Sequence, residues 1–236
     1  MANRPVFTVG TTAPFVSEVG TEFTFHPGFS IQQKQRSIAS LHESFMEDDP
    51  GLRILEVSSK SPLHLGVRLS AFNLLIHHPG RENYSVESAF QASKVFENGG
   101  PFDDLLDKTS REAKKDPRLK ESGQLVGFRF FSRQFPLEPK TFFYDWLYAK
   151  ALFQNKELFE EAVNFDAFTD IEYNPKRSIN CQARAIAKVA GLWRCGLLEK
   201  ALESPETFLS IGYPGMESDS VSEEKSKNEP VQERLF

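Results

Sequence analysis

The chain has 236 residues, 39% hydrophobic and 26% charged, with a formal net charge of −5. This balance suits one full domain, or one domain plus accessories, and it argues against wrapping of nucleic acid by bulk positive charge while leaving room for a local basic patch. The two cysteines, Cys181 and Cys195, are too few for a disulfide framework. No apolar run nears the roughly 20 residues that span a bilayer, and no signal peptide opens the chain, so a reducing cytoplasm is the expected location.

Residues 1–29 read as short extended pieces broken by Gly and Pro. Ser30 can cap a helix in which Ile31, Ile38, Leu41 and Phe45 form one apolar stripe. Residues 47–51 read as a loop. The segments RILEVSS and LGVRLSAFNLLI look strand-like, and HHPGREN is a turn. A helix is predicted over 85–96, stopped by Asn98-Gly99-Gly100-Pro101. Residues 102–122 are charged and helical in pattern, LVGFRFF is a short apolar element, and 141–165 has helical spacing with a break near Gln154-Asn155. Residues 168–180 read mostly as loop. Cys181 to Leu202 is read as one long apolar helix with Gly191 and Gly196 as weak points.

The expected fold is α+β, predominantly helical, with short strands. It divides into an N-terminal extension over 1–60, a catalytic domain over 61–213 and a disordered acidic tail over 214–236. The 22 Phe residues imply a large aromatic core, an aromatic pocket, or both.

On a helix from Ser85, the side chains of Glu87, Gln91 and Lys94 fall within about 60° of one another. An acid, an amide and an amine would then share one stripe beside a buried one. The carboxylate could act as acid, base or cation stabiliser. The amine could hold a phosphate, donate a proton or attack as a nucleophile. The same spacing also suits a solvated helix face.

A second carboxylate cluster is Asp166, Asp170 and Glu172, with Asp170 favoured for catalysis and turn formation as the alternative. Asn174, Lys176, Arg177, Ser178 and Asn180 supply donors suited to a diphosphate or ribose. Asn180 could instead cap the helix from Cys181. Lys108, Arg111, Lys115 and Arg118 fall on one helical stripe, with Lys114 and Lys120 nearby. That stripe could track a DNA backbone or be a solvated face. His26, His64, His77 and His78 lack metal-ligand spacing, so no metal and no cofactor are expected. Trp146, Tyr148 and Trp193 read as core. Phe29 and residues 34–37 could close one side of the site or touch DNA.

The run Tyr84 to Phe96 resembles the signature of the NADAR family, in which Glu-His-x-Phe-Gln-Ala-x-Lys-Phe follows an aromatic or Pro-Thr lead-in. Glu87, Phe90, Gln91, Ala92, Lys94 and Phe96 match, and Ser88 stands where His is usual. Ser70-Ala71-Phe72 is similar to the family's Ser-Asn-Phe element. Asp166-Ala167-Phe168 with Asn180 is similar to its Asp-x-x-Trp-Gly segment and later Asn, with Thr169 in place of Trp and the glycines absent. By this resemblance Asp166 is the better match to the family's acid. Ser70, Phe72, Asp166 and Phe168 join Gln91, Asn174, Lys176, Arg177 and Asn180 as substrate-binding residues around catalytic Glu87, Lys94 and Asp170.

The chain looks most like NADAR antitoxins that stand beside DarT-type DNA ADP-ribosyltransferases. The resemblance implies a hydrolase that removes ADP-ribose from guanine bases in DNA, with ADP-ribosylated DNA as substrate and a DarT-type toxin as counterpart. Two alternatives stay open: an N-glycosidase acting on small ribosyl-amine metabolites, and an antitoxin that binds its toxin without catalysis.

Overall fold

A computed structural model describes residues 1–47 and 49–215. Two strands open the chain, β1 (Ala2–Val9) and β2 (Val16–Phe23), paired in register from Ala2–Phe23 to Val9–Val16. Helix α1 (Ile31–Met46) follows, with the Ser30 side chain accepting from Gln33 N as the sequence suggested. Next come β3 (Ile54–Glu56), α2 (His64–Arg68), β4 (Leu75–Ile76), β5 (Tyr84–Ser85), α3 (Val86–Ala92) and β6 (Lys94–Phe96). The middle of the chain holds α4 (Ser110–Lys115), α5 (Arg118–Glu121), β7 (Leu125–Phe130), β8 (Arg133–Phe135), α6 (Phe142–Gln154) and α7 (Lys156–Ala162). The last elements are β9 (Ala167–Thr169), α8 (Gln182–Arg194), α9 (Leu198–Ala201) and α10 (Pro205–Gly212).

The main sheet has the order β2-β1-β9-β3. β9 runs antiparallel to β1 and parallel to β3, with Phe168 opposite both Phe7 and Leu55. Alternation along the strands sends side chains to two faces. Val6, Phe23 and Ala167 join Ile38 and Leu41 of α1 in a small core, while Phe7, Leu55 and Phe168 face the large core with α8. Helix α8 comes very close to the β1–β2 turn at Gly191. A Cβ there would lie 2.3 Å from the Phe15 carbonyl oxygen, which only glycine avoids.

Residues 2–23 and 54–56, inside the segment expected as an N-terminal extension, supply three of the four strands of this sheet. Helices and strands are mixed throughout, and the chain is not simply helical. The strand expected over LGVRLSAFNLLI is largely wrong: His64–Arg68 is helical, and only Leu75–Ile76 is extended. A short apolar run does not distinguish a buried helix from a strand by its pattern alone. The long helix expected from Cys181 ends at Arg194, and Gly196, at φ +66, turns the chain into α9. The break expected near Gln154-Asn155 separates α6 from α7.

A second sheet, β6-β7-β8, packs its Phe128, Phe130 and Phe135 on α6. Ring centroids of Phe128 and Phe135 lie 4.8 and 4.7 Å from Phe143, and Phe135 lies 5.1 Å from Trp146. Much of the Phe content is spent here. Helices α6 and α8 are joined by buried Asp145, which takes Arg184 and the Tyr213 hydroxyl (2.6 Å), with Lys188 at 3.8 Å. The tail expected over 214–236 lies outside the described residues from 216 onward. No helix among the described residues is long and apolar enough to cross a membrane.

Candidate active site

A cleft of about 1250 Å³ lies between α3, the loop before it, α4 and the loop that leaves β9. Helix α3 starts where the Ser85 hydroxyl accepts from Ser88 N at 2.9 Å, and all seven of its residues are buried. Glu87 sits in its first turn and Gln91 one turn on. Gln91 Nε2 donates to Glu87 Oε1 at 2.9 Å. Glu87 N donates to the Ala71 carbonyl at 2.9 Å, which ties the helix to the Ser70-Ala71-Phe72 turn. Gln182 Oε1 accepts from Ala71 N at 2.7 Å, so α8 braces the same turn.

The predicted helix over 85–96 stops early. The Ala92 and Ser93 carbonyls accept from Phe102 N (2.8 Å) and Arg129 N (2.7 Å), and Lys94 enters β6 opposite Phe128. Lys94 is therefore a strand residue. Its side chain still joins Glu87 and Gln91 in the cleft, with Nζ 5.0 Å from the centroid of the Phe90 ring. Gly100, at φ +85, packs on the Lys94 backbone. Burial lowers the pKa of the Lys94 amine; the Glu87 charge opposes this shift and the Lys114 charge adds to it. Lys114, from α4, stands 3.3 Å from Glu87 Oε1 and 4.9 Å from the centroid of Phe72.

Asp170 forms the facing wall. Its Oδ1 accepts from Glu172 N and Tyr173 N at 3.0 and 3.2 Å. Burial, and then the charge of Glu56, raise its pKa. Glu56 lies 1% exposed in β3. It accepts from the Thr169 hydroxyl (2.6 Å) and Ile171 N (2.9 Å), and burial raises its pKa too. The Thr169 hydroxyl also meets His42 Nε2 at 2.8 Å, and burial lowers that imidazole's pKa to about 4. Tyr144 lies on the floor, edge-on to Phe90 at 5.1 Å. Its pKa is raised by burial and by the carboxylates of Glu87 and Asp170.

Eight bases line the cleft (Arg4, Lys34, Lys60, Lys94, Arg111, Lys114, Lys140 and Arg177) against four acids (Glu87, Glu138, Asp170 and Glu172). A protein of net charge −5 thus carries a locally positive cleft. Among the described residues no cluster of three or more His, Cys, Asp or Glu is placed to hold a metal ion.

Of the residues singled out from sequence, Glu87, Lys94, Asp170, Gln91, Ser70, Phe72, Asn174, Arg177 and Asn180 line this one cleft. Asp166, Phe168 and Lys176 do not. Asp166 pairs with Arg194 (3.1 Å) and accepts from Arg53 N (3.1 Å), so it pegs β3 and α8 together. Phe168 is wholly buried in the large core. Lys176 is exposed on the turn closed by its own N–H to Asn174 Oδ1. Asn180 does not cap α8. That position is held by Cys181, without a side-chain bond. The Asn180 Oδ1 is enclosed and has no hydrogen-bond partner among the described residues.

The basic stripe on a single helix is also corrected. Residues 103–121 form a 3-10 turn and two short helices. There Lys108 pairs with Asp116 (3.1 Å), and Arg118 pairs with Asp104 (2.7 Å) and Asp116 (2.8 Å). Arg111 and Lys114 turn to the cleft instead. Sequence reasoning missed Lys114, Gln182, Tyr144 and Glu56 as site residues. Of these, only Lys114 was in view, in the basic stretch read as a possible DNA contact.

The model of the DarT1-associated NADAR antitoxin family matches residues 2–222. The chain belongs to this family. A comparison with curated proteins finds no match. The match spans the opening hairpin, in keeping with its place in the sheet.

Two of the departures from the NADAR signature, Ser88 and Thr169, have side-chain partners of their own. Ser88 faces away from the cleft, bonded to the Ser85 hydroxyl (2.9 Å) and the Lys108 carbonyl (3.0 Å). Ala71 bonds to Gln182 and Glu87 through its backbone, and Thr169 is the partner of buried Glu56.

Proposed function

We propose that this cleft removes ADP-ribose from guanine bases in DNA, cutting the bond between the ribose anomeric carbon and the base nitrogen. In this reading the protein reverses the modification made by a DarT-type toxin. The observation that carries it is the presence of Lys94 and buried Glu87 together in one cleft rich in bases. The cations suit a diphosphate, and Phe72, Phe90 and Tyr144 add aromatic surface to the cleft.

Departure of the base nitrogen leaves positive charge on the anomeric carbon and requires a proton. Glu87 supplies negative charge for the first. Asp170, whose raised pKa favours the protonated acid, supplies the second. When the ribose ring opens, its anomeric C–O bond breaks, the ring oxygen takes a proton from the base nitrogen, and the carbon becomes doubly bonded to that nitrogen. Lys94, easier to deprotonate than an exposed lysine, adds to this carbon. The new C–N bond to Nζ replaces the bond to the base, whose nitrogen leaves with a proton. Water then hydrolyses the imine, releasing ADP-ribose and restoring the amine.

The test incubates the protein with an oligonucleotide carrying ADP-ribosylated guanine and follows ADP-ribose release, with borohydride added in parallel. Release by wild type, its loss in Lys94→Ala, and a reduced adduct on Lys94 are expected. Toxin rescue in cells without any release sinks the hydrolase reading in favour of a binding antitoxin. Release without an adduct removes the imine step.

A further inference from the structure

The N-terminal wall of the cleft has no part in the chemistry above. It is made by Arg4 of β1, Phe25 just beyond β2, and Lys34 of α1. Lys34 Nζ lies 2.8 Å from Glu172 Oε1, which fastens this wall to the loop that carries Asp170. Phe25 is 40% exposed and is propped edge-on by buried Phe23, with centroids 6.4 Å apart. Arg4 keeps an enclosed Nε without a hydrogen-bond partner among the described residues. The other half-exposed ring of the cleft, Phe72, has its face covered by Lys114. No cation covers Phe25 among the described residues.

Cations line the cleft from several elements: Arg111 and Lys114 from α4, Arg4 from β1, and Lys60, Lys140 and Arg177 from loops. The diphosphate of one ADP-ribosyl group occupies only part of such a lining. The cleft, at about 1250 Å³, is also larger than the roughly 300–1000 Å³ of a small-molecule pocket.

We propose that the Arg4–Phe25 wall holds the nucleic-acid strand next to the modified base, unpaired, with a neighbouring base stacked on Phe25 and a phosphate on Arg4. This inference rests on the reading above in taking a nucleic-acid strand as substrate. A bare aromatic face beside a cation is the element that single strands use, because every base has a face to stack. In a duplex the stacked neighbours cover both faces of each base, so the strand enters melted.

The test is fluorescence anisotropy with a short, labelled, unmodified single-stranded oligonucleotide, across a salt series. It compares wild type with Phe25→Ala, Phe25→Trp and Arg4→Gln, each checked for wild-type thermal unfolding. Stacking on one ring predicts binding roughly tenfold weaker in Phe25→Ala and at least wild-type binding in Phe25→Trp. Loss of one phosphate contact predicts that Arg4→Gln lowers the slope of log affinity against log salt by about 0.7. Binding in Phe25→Ala within about twofold of wild type, against that expectation, or an unchanged slope in Arg4→Gln, overturns the inference.

The two readings fail separately. ADP-ribose release with strand binding indifferent to Phe25 and Arg4 sinks this inference alone. Strand binding through these residues without release sinks the hydrolase reading alone.

Discussion

Replacing Gly100 by Ala should damage both stability and chemistry, and Gly80→Ala provides the control. Both glycines have left-handed backbones, at φ +85 and +87. A Cβ at Gly80 meets nothing within 4 Å, so that variant carries backbone strain alone, about 1 kcal/mol. A Cβ at Gly100 would lie 2.3 Å from the Lys94 carbonyl oxygen, where ordinary contact begins at 3.4 Å. The loop or the Lys94 backbone must then move by about 1 Å, at an overpacking cost of roughly 1–3 kcal/mol beyond the strain. A nucleophile displaced by about 1 Å loses on the order of 100-fold in rate. Urea unfolding measures the first effect, and the rate of borohydride trapping on Lys94 measures the second. If Gly100→Ala is no less stable than Gly80→Ala, or traps at the wild-type rate, the packing of Gly100 on Lys94 is not what positions the amine.

Lys114→Ala removes a charge that lowers the Lys94 pKa, so the acid limb of the pH–rate profile should move to higher pH. Glu56→Gln removes a charge that raises the Asp170 pKa, so the alkaline limb, where the acid must keep its proton, should move to lower pH. Asp145→Ala leaves Arg184 and Lys188 without their shared carboxylate and should cost about 3–5 kcal/mol in chemical unfolding, with Asp145→Asn losing less. Burial lowers the Lys188 pKa to about 8. Above that pH the unfolded chain still binds a proton that the folded chain has released, so stability from this residue rises between about pH 8 and 10. Lys188→Met should flatten that rise in a series of urea unfolding curves.

Sequence reasoning found Glu87 and Gln91 because helical spacing and the family signature agree on them, and both signals are local. Lys94 was placed rightly beside them but on the wrong element. The helix ends through bonds from Phe102 and Arg129, which no local pattern reports. Asp166 fits the family's acid by position, yet Arg194 and the Arg53 backbone hold it away from the cleft. Asp170, four residues later, turns into the cleft after β9 ends. Tyr144 lies in a helix so apolar that its one pocket-facing hydroxyl carries no pattern. Glu56 is a lone acid in a three-residue strand, and its partners lie more than a hundred residues away. The opening hairpin looked accessory because its pairing with β9 is equally remote.

The position of β9 between β1 and β3 also sets when the active site can exist. The strand that launches Asp170 is central to the sheet, but it leaves the ribosome long after both of its neighbours. The earlier segments must wait, with an open slot between them, until residues 167–169 arrive. Gln182, which braces the turn facing Glu87, follows later still. The cleft is therefore complete only once residues 167–182 are present, and a chain cut before Gln182 lacks this brace and all of α8.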